Sequence, residues 1–385
     1  MRPDQRIVIV GGGPAALSTA RSYREAGGEA SLELICAEPH LPYERPPLTK
    51  DFLRGELEAA DVPIEDEAWF ATHAVTLRRA RRAVAVDREA REVHLEGGQS
   101  LAYDACVLAT GSEPERPPID GAQDPGLHTI RTVDDALRLR AAAAPGARAV
   151  VVGAGFIACE AAASLVRRGL DVVLAAPEER PQAERLGDRA GELITTLLCE
   201  AGVEVRLGAE IGRIEPRWRV WLKGGEVLPA DLVVLGTGVS PRLELASEAG
   251  LDVDGGVCVD SSMRSSDPAV LAVGDIAAAQ HARAGRRLRV EHWGDALAHG
   301  EVAGRKLAGE DAEWTAAPGF WTTIGDHTLK HSAWGDGFDE ARVEAEGDGH
   351  LVVRYLSSGE EVGVLTLGDD EAYEAARRRL EEGRA

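Results

Sequence analysis

Arg6-Ile7-Val8-Ile9-Val10-Gly11-Gly12-Gly13-Pro14-Ala15-Ala16 decides the fold, because an apolar run ends in a glycine-rich turn that hands the chain to an alanine-rich stretch. Ala149-Val150-Val151-Val152-Gly153-Ala154-Gly155-Phe156-Ile157-Ala158 repeats the pattern. Each apolar run reads as a buried parallel strand and each stretch after the turn as a helix. Gly11 and Gly153 permit the bend, Gly13 and Gly155 let backbone approach a pyrophosphate, and Ala16 and Ala158 are small enough for helix and strand to pack. The helix N-terminus then offers free N–H groups and a partial positive charge to the diphosphate. One such turn is explained by tight packing alone; two in the same context predict two dinucleotide sites.

At 385 residues and 44% hydrophobic content the chain can bury two or three cores. No run approaches the ~18 apolar residues of a membrane span. The first strand starts within a few residues of the N-terminus, which leaves no room for a signal peptide and predicts a cytoplasmic protein. Cys36, Cys106, Cys159, Cys199 and Cys258 lack C-x-x-C or metal-ligand spacing, so no metal is expected and most read as small buried hydrophobes. A net charge of −22 argues against nucleic acid and anionic membrane as partners.

A third signal arranges the two units. Val270-Leu271-Ala272-Val273-Gly274-Asp275 is another apolar strand, and an acid at its carboxyl end beside a glycine suits a polyol such as the ribityl chain of FAD. Strands returning to glycine also stand at Val107-Leu108-Ala109-Thr110-Gly111 and Val233-Val234-Leu235-Gly236-Thr237-Gly238. The expected map is a first nucleotide domain over 1–114, a second inserted over 115–240, the first resumed over 241–314, and an appendage over 315–385. The class is α/β, two nested Rossmann-like domains plus a small α+β C-terminal domain. In the appendage, strands are expected over 351–355 and 362–367 and a charged helix from Asp370 to about Glu382.

Glu38-Pro39-His40-Leu41-Pro42-Tyr43-Glu44-Arg45-Pro46-Pro47-Leu48-Thr49-Lys50 resembles the E-P-x-L-P-Y-x-R-P-P-L-S-K stretch of the FAD-dependent ferredoxin reductases of bacterial oxygenase systems. This putidaredoxin-reductase-like family also includes apoptosis-inducing factor, and the likeness covers residues 5 to about 310. It implies FAD in the first domain, NADH or NADPH in the second, and electrons passed to a small carrier of ferredoxin or rubredoxin type by a monomer or homodimer. It also implies site residues. Gly11, Gly13, Ala16, Arg45, Thr110, Gly111, Gly274 and Asp275 fall to FAD, and Gly153, Gly155 and Gly238 to the pyridine nucleotide, with Glu38 and Glu178 as candidates for the two riboses. Lys50 is implied beside the flavin N5, paired with Glu160, which faces the nicotinamide. Pro46-Pro47 is expected to stiffen an extended segment before a helix starting near Leu48, which aims Lys50. Glu291-His292-Trp293 resembles the family's E-x-W, which opens a helix aimed at the flavin, and Trp293 and Trp321 become candidates for flanking the ring.

Two departures bear on the nucleotides. The family's acid for the FAD adenosine ribose falls at Ala37, with Glu38 beside it, and NADH-preferring relatives carry Glu where this chain has Ala176. An acid there accepts from the 2′-hydroxyl and repels a 2′-phosphate, so its absence predicts a shallow NADH/NADPH preference unless Glu178 takes its place. After Trp321, Thr322-Thr323 replaces the family's Ser-Asp. A flavin disulfide reductase or NADH oxidase would need a cysteine at the flavin, and none lies between residues 37 and 105. A redox-sensing interaction protein of the apoptosis-inducing-factor kind, with slow turnover, is the other alternative. For an acidic carrier, the arginine clusters 78–82, 283–289 and 377–379 are candidate docking faces, and sequence order puts only 283–289 near the flavin.

Overall fold

A computed structural model describes residues 4–335, 337–347 and 349–382. The first apolar run is the central strand of a five-stranded parallel sheet ordered Val270–Ala272, Ala105–Leu108, Arg6–Val10, Ser31–Ile35, Val75–Arg78. Strand residues 7–10 are all buried, as a sheet covered on both faces requires. The second run, Arg148–Val152, lies inside a four-stranded parallel sheet ordered Glu204–Arg206, Asp171–Ala175, Arg148–Val152, Leu232–Leu235. The helices Pro14–Glu25 and Phe156–Arg167 leave the two glycine turns, with Gly13 and Gly155 as their N-caps. Ala16 and Ala158 are fully buried in those helices, as the need for a small residue there predicts.

Where the chain passes between the two sheets and returns, Ser112–Pro114 pairs antiparallel with Val239–Pro241. The last sheet is antiparallel, ordered Gly319–Ile324, His327–Ala333, Glu360–Leu367, His350–Ser357, Glu340–Gly347, with the helix Asp370–Glu382 packed on it. Only two of its five strands announce themselves as apolar runs; Glu340–Gly347 is a nearly fully exposed edge strand and carries no such signal. Among the described residues no helix is long and apolar enough to cross a membrane.

Two local expectations are corrected. Pro46–Thr49 is a turn of 3-10 helix rather than extended chain, because a fixed proline φ suits the first positions of a helical turn. The α-helix begins at Asp51, leaving Lys50 at the junction of the two helical pieces. Cys36 lies one residue past the strand Ser31–Ile35.

Candidate active site

The carboxyl ends of both parallel sheets open into one cavity of about 940 Å³, where ligands of open α/β sheets sit. Gly11 (φ +141°) turns so tightly that a Cβ would stand 2.1 Å from the Ala109 carbonyl oxygen. Gly13 is different: a Cβ there would meet no protein atom within 4 Å. Packing therefore does not explain this glycine, and the space in front of it fits a pyrophosphate on the helix N-terminus.

Gly11, Gly13, Glu38, Arg45, Lys50, Thr110, Gly111, Gly155, Glu160, Gly238, Gly274, Asp275, Glu291, His292, Trp293 and Trp321 all line the cavity. Ala16, Gly153 and Glu178 do not, and neither does Ala176. Ala16 acts by packing, and Gly153 by its turn. Ala176 is fully buried, with its N–H donating to the Arg206 carbonyl. Glu178 is exposed beyond the strand end, yet its charge reaches Cys159 on the second fingerprint helix.

Hydrogen bonds fix which positions of the two units correspond. Gly11 N–H donates to the Ile35 carbonyl, and Gly153 N–H to the Ala175 carbonyl, both at 2.9 Å. Ile35 and Ala175 are thus equivalent, and three residues later stand Glu38 and Glu178. Glu38 accepts from the Tyr43 hydroxyl at 2.6 Å and from Arg45 at 3.2 Å. Arg45 also donates to the Arg131 carbonyl and lies over the Tyr43 ring.

At the meeting point of the two units, Lys50 Nζ is 2.8 Å from Glu160 Oε2, and both side chains are largely buried. Glu160 is the fifth residue of its helix, past the first turn, so its place is set by this pairing and not by the helix dipole. Thr49 Oγ1 donates to the same Oε2 at 2.5 Å, while Thr322 Oγ1 (2.8 Å) and the Thr323 N–H (3.2 Å) donate to Oε1. Four donors on one carboxylate satisfy a buried charge that would otherwise be costly. Asp275 Oδ2 accepts from Ser112 Oγ at 2.8 Å and from Arg131 at 2.6 Å. Sequence patterns point to none of Thr49, Ser112, Arg131 or Thr322 as such partners.

The likeness to known proteins spans both units and the cavity between them. Residues 5–300 match the family model described as pyridine nucleotide-disulphide oxidoreductase. The chain belongs to that family. It is therefore an oxidoreductase of the FAD-binding, NAD(H)-dependent type. Within the family it is 32% identical over 379 residues to rhodocoxin reductase of Rhodococcus erythropolis, covering 97% of this chain and 89% of the relative. It is 36% identical to the ferredoxin–NAD(+) reductase component of the anthranilate 1,2-dioxygenase system of Burkholderia cepacia, covering 84% and 80%. In three dimensions it matches the reductase of the covalent putidaredoxin reductase–putidaredoxin complex with a TM-score of 0.93 at 30% identity, over 98% of this chain and 93% of the other.

In a member of this oxidoreductase family the surroundings of the cavity acquire meaning. The helix Trp293–Ala308 starts at its wall, as the resemblance implies, with His292 as N-cap. Burial, helped by the charge of Arg185, pushes the His292 imidazole down to about 4, so it is neutral at physiological pH. Burial, then the charge of Asp275, holds the Glu291 carboxyl above its usual range. Trp321 is 42% exposed at the rim, unusual for so large an apolar side chain. Of the arginine clusters, Arg81 and Arg82 also line the cavity, which sequence order does not reveal. Cys36 lines it too, beside Gly11 and Gly12, but burial raises its thiol to about 12.

Proposed function

We propose that this protein takes a hydride from NADH or NADPH and passes the electrons singly to a small carrier protein of ferredoxin or rubredoxin type. FAD, when bound, supplies the change from two-electron to one-electron chemistry. The observation that carries the reading is the buried Lys50–Glu160 pair at the junction of the two nucleotide units. Held by Glu160, the Lys50 ammonium places fixed positive charge where a reduced ring accumulates negative charge, without reorganisation at the moment of reaction. Phe156 and Phe320, with ring centroids 4.5 Å apart, wall the same region against water.

In this reading residues 1–114 and 241–314 hold FAD, 115–240 hold the pyridine nucleotide and 315–385 form the C-terminal unit. Gly13 and the first fingerprint helix take the diphosphate of FAD, Asp275 its ribityl chain and Glu38 its adenosine ribose. Glu178, equivalent to Glu38 by register, takes the ribose of the pyridine nucleotide and favours NADH. Trp293 and Trp321 mark the electron exit. Exposed Arg287 and Arg378 have no carboxylate partner among the described residues and offer positive charge on a strongly acidic molecule to an acidic carrier. We place the protein in the cytoplasm.

The test is turnover of the FAD-loaded protein with NADH and purified ferredoxin, rubredoxin, oxidised glutathione or dioxygen as acceptors. Electron-carrier reduction should dominate and slow as salt rises. Turnover with a disulfide alone would overturn the reading.

A further inference from the structure

We propose that Thr322 is a positioning residue for hydride transfer: its hydroxyl holds Glu160 Oε1 so that Oε2 keeps Lys50 in place. The inference rests on the function proposed above and brings the C-terminal sheet into the reaction. A carboxylate gripped at one oxygen can still swing about its last torsion, whereas one gripped at both is fixed. Here Lys50 and Thr49 hold Oε2, and Thr322 and the Thr323 N–H hold Oε1. The four donors come from the FAD side and from the C-terminal strand Gly319–Ile324, and Glu160 comes from the nucleotide side between them.

Thr323 contributes only its backbone N–H, which any non-proline residue supplies. The Thr322 hydroxyl is the part of the Oε1 grip that sequence specifies. Thr322 is 1% exposed and sits between inward-facing Phe320 and Ile324 on the strand, so its hydroxyl has no water to turn to. Its β-branched side chain also has few rotamers to lose. Without that hydroxyl Glu160 keeps one longer contact on Oε1, and Lys50 loses a fixed counter-charge.

The experiment compares Thr322→Val, which keeps shape and removes the hydroxyl, with Thr322→Ser, which keeps it. In anaerobic stopped-flow, Thr322→Val should lower the limiting rate of flavin reduction by NADH about tenfold, roughly 1.4 kcal/mol. FAD content and NADH affinity should stay within about twofold. Thr322→Ser should restore the rate to within about threefold of the parent. A second readout needs no cofactor: in urea unfolding of the FAD-free protein, Thr322→Val combined with Glu160→Gln should shift the midpoint by less than the sum of the single changes. If Thr322→Val does not fold, Thr322→Ala takes its place in both measurements. An unchanged rate in the hydroxyl-free variant, a Ser variant as slow as Val, or additive midpoint shifts would overturn the proposal. Failure of the parent protein to be reduced by NADH would instead overturn the function on which it rests.

Discussion

The two nucleotide units share one backbone plan and differ in how much of the site is built before anything binds. In the first, Glu38 is held by Tyr43 and Arg45, and Asp275 by Ser112 and Arg131, so the acids that would meet FAD are fixed in advance. In the second, Glu178 stands exposed past the strand end with no side-chain partner among the described residues. Preorganised polar groups spare a ligand the cost of ordering them and slow its departure. An open acid permits exchange. On the function proposed above, that is the difference expected between a resident prosthetic group and a substrate that leaves each turnover.

Breaking each turn in the same way should separate the two most sharply. Gly13→Ala meets no protein atom, and Gly155→Ala meets only the Gly236 oxygen at 3.6 Å, so both variants should fold. Gly13→Ala should weaken FAD retention about a hundredfold, ~2.7 kcal/mol, measured by fluorescence on reconstitution. Gly155→Ala should leave FAD in place and weaken only the pyridine nucleotide. Equal loss of FAD in both would erase the distinction.

The acids sharpen it further. Glu38→Gln should cost FAD affinity, while Glu178→Gln should raise the NADH dissociation constant about tenfold, ~1.4 kcal/mol, and flatten discrimination against NADPH. Because the ribose lies far from the transferred hydride, the limiting rate should hold. A wild type that discriminates less than twofold between the nucleotides would remove Glu178 from the role.

How much of this was legible in the sequence depended on the range of the interaction. The central strands of both parallel sheets follow from glycine placement and apolar runs, which are local, whereas the edge strands Val75–Arg78 and Glu204–Arg206 carry no such signal. Lys50 and Glu160 were within reach through the motif around residues 38–50. Thr49 and Thr322 were not, because their partner lies 111 and 162 positions away and a threonine in a strand or turn looks like any other. Arg131, 144 positions from Asp275, is hidden for the same reason. That Glu178 occupies the position equivalent to Glu38 emerges only from the hydrogen bonds that set the register, because strand ends are not fixed to the residue by sequence pattern.

Smaller effects concern the helix that starts at the cavity wall. Asp295 is buried on the helix Trp293–Ala308, and burial raises its carboxyl to about 7. Between the unfolded value near 3.8 and about 7 the native state keeps a proton that the unfolded state has lost, so this group makes stability fall as pH rises through that window. Asp295→Asn should therefore raise Tm by several degrees at pH 8 and leave it little changed at pH 4; a larger gain at pH 4 would contradict the sign.

Each unit also carries a thiol against its glycine turn: Cys36 Sγ lies 3.9 Å from the Gly11 carbonyl oxygen, and Cys159 Sγ 3.7 Å from that of Ala154. Burial raises both to about 12. Neither is a thiolate at working pH, and replacing either with Ser should keep turnover within a few-fold. Loss of turnover with FAD intact would make that thiol a redox group.

On the proposed function, electrons pass from pyridine nucleotide to flavin at the Lys50–Glu160 junction with no thiol between them. Anaerobic titration of the FAD-loaded protein with NADH measures this directly. One equivalent of NADH per flavin should bleach the spectrum completely, with no long-wavelength band from a thiolate against the ring. Consumption of two equivalents, with such a band appearing after the first, would show a redox-active disulfide and contradict the account.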